Sequence, residues 1–186
     1  MKMNFSMWVN CLALIGLIVA RSEAKPPVWS AQPDREITIS MVPAKMAYDT
    51  TLLRVRPGER IKLNLKNPDD LEHNLVLIKN DPNDPRGERF AAQCIELGPR
   101  GPKLAWTPDS QRVLARSGMI GPKKESEMFF EAPKEPGDYL YLCTFPGHSN
   151  LMRGILKVGS IDPIFSELSY KVYAGEFRKI PDFNKL

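Results

Sequence analysis

Leu140-Tyr141-Leu142-Cys143-Thr144-Phe145-Pro146-Gly147-His148-Ser149-Asn150-Leu151-Met152-Arg153-Gly154 brings three soft or borderline metal donors into one short stretch: Cys143, His148 and Met152. The pattern predicts a strand over 138–142 that ends at Cys143, a turn at Pro146-Gly147, and a return that brings His148 and Met152 to the side of the sulfur. Side chains alternate along a strand, so Tyr139, Tyr141 and Cys143 share one face and Leu140 and Leu142 take the other. One loop would then supply three ligands.

The donor types narrow the metal. A thiolate with an imidazole and a thioether suits copper, whereas structural zinc sites take Cys and His and rarely Met. The chain has only two histidines, so a second imidazole has to be His73, in Leu71-Glu72-His73-Asn74-Leu75-Val76-Leu77-Ile78, just ahead of another apolar strand. Two His, one Cys and a weak axial Met make the donor set of a blue-copper site. Each donor alone has a plainer reading: Cys143 and Met152 as core, His73 as a hydrogen-bonded buried histidine. Their spacing, and the use of both histidines, favour copper over coincidence. Zinc on Cys143, His148, His73 and Cys94 is the rival metal.

Cys143-Thr144-Phe145-Pro146-Gly147-His148-Ser149-Asn150-Leu151-Met152 has four residues between Cys and His and three between His and Met, and it resembles the copper loop of azurins. Plastocyanins have a shorter Cys-to-His spacing. His73-Asn74-Leu75-Val76-Leu77 is similar to the first copper-ligand strand of azurins. Asp109-Ser110, Arg112-Val113-Leu114-Ala115 and Met119-Ile120-Gly121 resemble their middle segment, so the likeness runs over 36–159.

The resemblance implies an all-β cupredoxin, a Greek-key β-sandwich with a short helical insertion, holding one type 1 copper on His73, Cys143, His148 and Met152. It also implies that Asn74 braces the loop, and that the amides of Asn74 and Phe145 hydrogen-bond the sulfur and tune its potential. His148 would be the electron port, within an apolar rim of Phe145, Pro146, Gly147 and Leu151. The implied activity is that of an exported electron carrier serving redox proteins such as c-type cytochromes or a terminal oxidase. Two departures stand out: Glu72 replaces the glycine whose carbonyl azurins add as a ligand, and the azurin disulfide cannot form here.

Composition adds boundaries. At 186 residues the chain can bury one normal core, and its 17 prolines and 12 glycines lean towards a loop-rich β protein. The apolar run 7–20 behind Lys2, followed by Arg21-Ser22-Glu23-Ala24, reads as a cleaved export signal over 1–24, too short to remain as a membrane span. The mature protein would be periplasmic or extracellular. Removing Lys2, Arg21 and Glu23 takes the net charge from +4 to about +3, with no dense basic run, so nucleic acid is not an expected partner. Two cysteines then remain. Phe90, Ala91, Cys94, Ile95 and Leu97 fall on one side of a short helix, which predicts Cys94 as a buried free thiol.

In chain order, 25–35 is a lead, 36–159 the copper domain, and 160–186 a C-terminal extension or linker. Strands are predicted over 36–42, 52–55, 60–66, 125–131, 138–142 and 153–158, with another after His73. About seven or eight short strands without helical alternation imply an antiparallel sandwich. Periodicity fails over 79–122, where Pro-rich turns flank the helix. Copper oxidases and nitrite reductases need additional histidines, and none is left once His73 and His148 are used; the expectation is a protein that is not an enzyme. Copper storage or delivery, or a cupredoxin module of a larger surface protein without redox work, is the alternative.

Overall fold

Strict alternation is clearest in Arg60–Asn67, where Ile61, Leu63 and Leu65 are buried and Arg60, Lys62 and Asn64 lie at the surface. That pattern builds a sheet with one wet face. The computed structural model describes residues 25–161; the predicted export signal, and the extension from residue 162 onward, lie outside them. Nine strands and one α-helix follow in order: β1 Arg35–Val42, β2 Ala47–Tyr48, β3 Leu52–Val55, β4 Arg60–Asn67, β5 Val76–Ile78, α1 Glu88–Glu96, β6 Val113–Arg116, β7 Lys124–Glu131, β8 Gly137–Leu142 and β9 Arg153–Val158. Among the described residues, no helix is long and apolar enough to cross a membrane.

The strands form two sheets, ordered β2-β1-β4-β7 and β3-β9-β8-β5-β6. The expectation of a purely antiparallel sandwich needs correction, because β1 pairs with β4, and β3 with β9, in parallel. After β1 the chain crosses to the other sheet for β3 and then returns as β4, so the partners run the same way; a tight hairpin cannot make such a pair. β2 and β6 were not expected as strands. β2 is only two residues long, and β6 is partly buried at three consecutive positions, so neither shows a period of two.

The principal core lies between the sheets and includes Ile39, Ile61, Leu63, Leu65, Met128, Tyr141, Cys143, Met152 and Leu156. A second cluster, of Val76, Ile78, Phe90, Ala91, Cys94, Leu140 and Leu142, places α1 against the outer face of the five-stranded sheet. β8 therefore divides as its alternation requires, with Tyr141 and Cys143 inward and Leu140 and Leu142 under the helix. β5 is buried on both faces, which explains its unbroken apolar run.

On α1, Phe90, Ala91 and Cys94 are buried, as is Leu97 just past its end, but Ile95 is 51% exposed, correcting its expected place on the core side. It lies about 100° round the helix from Cys94. Cys94 is free and fully buried, and burial pushes its thiol up to about 12.

Candidate metal centre

The segment before β5 is held by one side chain. Asn67 Nδ2 donates to the carbonyls of Leu71, Ile120 and Gly121, while its Oδ1 accepts the N–H of Asp69. His73 then exchanges two backbone hydrogen bonds with Ile120, at 3.1 and 2.7 Å. The result is an imidazole fully removed from solvent.

The second element closes on itself. Cys143 N–H donates to Met152 O at 2.9 Å, His148 N–H to Phe145 O, and Met152 N–H to His148 O. Gly147 makes the turn at φ +86°. Cys143 and Met152 are fully buried and His148 nearly so. Donor atoms of His73, Cys143 and His148 lie within 4.8 Å of one another; Cys143 Sγ is 3.6 Å from His148 Nδ1, which is 3.2 Å from His73 Nδ1. Met152 belongs to the same buried cluster as Cys143. Cys94 lies in the other cluster, across the sheet, so the zinc set that includes it does not assemble.

The two elements are tied together by Asn74. Its Nδ2 donates to Thr144 Oγ1 at 2.7 Å and to Ala105 O at 2.8 Å, and its Oδ1 accepts the N–H of Thr144 at 2.8 Å. Burial pushes the Cys143 thiol up to about 11, against hydrogen bonds from the amides of Asn74 and Phe145 that pull it down. The thiol therefore keeps its proton until a cation replaces it. His148 is shifted down, first by burial and then by His73 beside it. A neutral ring offers a lone pair. Two imidazoles, a sulfur that accepts two amide hydrogen bonds, and a thioether, all sheltered from water, are chemically suited to copper.

At the surface, Phe145 and Pro146 are partly exposed, Gly147 is exposed, and Leu151 is 64% exposed. Phe145 lies tilted against His148 with centroids 4.8 Å apart and meets Trp106 edge-on at 6.1 Å. Neither Trp106 nor Asp69, which reaches His73, was among the site residues expected from the sequence, where Asp69 reads only as part of the turn 67–70. An acid four residues before His73 was a usable signal, whereas Trp106 lies in the aperiodic excursion and only the folded chain brings it here.

A profile for copper binding proteins of the plastocyanin/azurin family matches residues 35–159. The chain is 35% identical to Auracyanin-A of Chloroflexus aurantiacus over 117 residues, which is 61% of this chain and 68% of that one. To an azurin of Pseudomonas aeruginosa it is 43% identical over 118 residues, 60% of this chain and 77% of that one. The solved structure of auracyanin A, described as a "blue" copper protein, superposes with a TM-score of 0.60 at 30% identity, covering 67% of this chain and 98% of its own. With its two-sheet fold, its assembled donors and these relatives, this chain belongs to the plastocyanin/azurin family of copper-binding proteins.

Proposed function

We propose that this protein is an exported blue-copper carrier that accepts and delivers one electron at a single type 1 copper held by His73, Cys143, His148 and Met152. The observation that carries this reading is the convergence of buried His73, Cys143 and His148 donor atoms within 4.8 Å. Bound copper supplies the Cu(I)/Cu(II) couple. Everything else is done by the chain. Asn74 locks the two ligand-bearing elements together, so the donors hold their places as charge changes. The amides of Asn74 and Phe145 stabilise negative charge on sulfur and so adjust the potential.

The buried His148 ring lies beside Phe145, and Phe145, Pro146, Gly147 and Leu151 of the same loop reach the surface, an apolar rim suited to brief docking with a redox protein such as a c-type cytochrome or a terminal oxidase. The apolar run 7–20 supports export, and the mild net charge of +4, with no dense basic run, gives no footing for a nucleic-acid partner.

The test is the visible and EPR spectrum of the full chain with one equivalent of Cu(II), beside Cys143→Ala. A strong thiolate-to-copper band and narrow copper hyperfine splitting, lost in the variant, are expected, together with fast electron self-exchange. A colourless complex overturns the reading. Slow electron exchange with rapid copper hand-over would mark a delivery protein instead.

A further inference from the structure

A carboxylate stands behind His73. Asp69 Oδ2 lies 3.0 Å from His73 Nε2, and both side chains are buried. The two oxygens have separate tasks: Oδ1 accepts the backbone N–H of Asp70 at 2.8 Å and of Ala44 at 3.2 Å, and Oδ2 meets the ring. Both oxygens of this buried carboxyl are thus engaged, Oδ1 by two amide donors and Oδ2 by the ring nitrogen, as suits a carboxylate that accepts on both sides. An anion only accepts, so Nε2 carries the ring proton. Nδ1 then keeps its lone pair, and Nδ1 is the atom that faces His148, in the cluster with Cys143.

We infer that Asp69 is a positioning residue for the metal centre: through Oδ2 it selects the Nε2–H tautomer of His73, aims Nδ1 at the metal, and sets a fixed negative charge behind one ligand. The inference rests on His73 being a copper ligand. A negative charge there stabilises Cu(II) more than Cu(I), and hydrogen-bonded partners of metal-bound histidines commonly govern affinity in this way.

Two variants separate positioning from simple bracing of the turn. Asp69→Asn keeps an oxygen for Ala44 and Asp70 but presents an N–H donor to the ring. Asp69→Ala removes both oxygens and opposes nothing. The measurements are the 15N ring shifts of His73 in the metal-free full chain at neutral pH, Cu(II) affinity, and reduction potential. Positioning predicts Nε2–H in the wild type, an Nδ1–H population in Asp69→Asn, and Cu(II) affinity falling about 10–100-fold in Asp69→Asn but less in Asp69→Ala. Both potentials rise, a tenfold loss of preference for Cu(II) being about 59 mV.

Bracing alone predicts the reverse order, with Asp69→Asn close to wild type, Asp69→Ala the weaker binder and the tautomer unchanged; that result overturns the inference. A blue wild type with an unaltered Asp69→Asn removes only the role of Asp69. A wild type without the blue band removes the copper reading, and this inference with it.

Discussion

Asn74 carries more of the site's order than its size suggests. It is fully buried, and its amide joins Thr144 on the copper loop to Ala105 of the excursion. Asn74→Ala leaves the buried Thr144 N–H without its acceptor, and a buried donor left unpaired costs more than an average hydrogen bond contributes. The expected loss is about 3 kcal/mol, read as a lower urea midpoint at unchanged slope. Gly147 is a smaller case. A Cβ there would meet nothing within 4 Å, yet the backbone sits at φ +86°. Gly147→Ala should therefore cost about 1–2 kcal/mol through backbone strain alone, with the donor cluster intact by its visible spectrum.

At the scale of elements, α1 is joined to the sheet by an acid outside it. Asp84 accepts the N–H groups of Arg89 and Phe90 at the helix start and pairs with Arg112 at 2.6 Å. Burial alone would raise its carboxyl, but Arg112 and the two amides hold it below the ordinary value of 3.8. A depressed folded value gives stability that is complete above about pH 4 and lost as pH falls through that lower value. Asp84→Asn should cost about 2 kcal/mol near neutrality, and the gap from wild type should shrink on acidification, as followed by denaturation midpoints of the metal-free protein.

Strands β8 and β9 show a second dependence. Tyr141 sits across from Gly154 and donates to Thr50 O at 2.6 Å; a Cβ on Gly154 would lie 2.2 Å from the Tyr141 ring. Gly154→Ala should destabilise by about 1–3 kcal/mol by overpacking. Tyr141→Phe, which loses only the hydroxyl, should cost about 1 kcal/mol.

For the whole molecule, the metal is coupled to folding. The donors come from two distant segments, 73 and 143–152, which meet only in the folded state. Copper that binds only the folded state adds about 2.7 kcal/mol of stability at a hundredfold excess over its dissociation constant. Removal by a chelator should reverse that gain, and Cys143→Ala should abolish most of it, both measured by thermal unfolding with and without Cu(II).

Most of the fold was legible because alternation in β1, β4 and β7 records which side of each strand meets the core. The donor identities and their spacing were equally local, so Cys143, His148 and Met152 could be read from one loop, and His73 followed because only two histidines exist. Strand direction was not local. The parallel β1–β4 and β3–β9 pairs depend on where the chain crosses between sheets, which no short window encodes. Ile95 turned to solvent because the width of the covered stripe on α1 is set by the sheet beneath it. Asp69 met His73, and Trp106 met Phe145, through turns that carry no period. Sequence alone thus determined the chemistry of the ligands and the faces of the strands. Tertiary structure decided what stands behind and beside those ligands, because such contacts depend on long-range packing between segments.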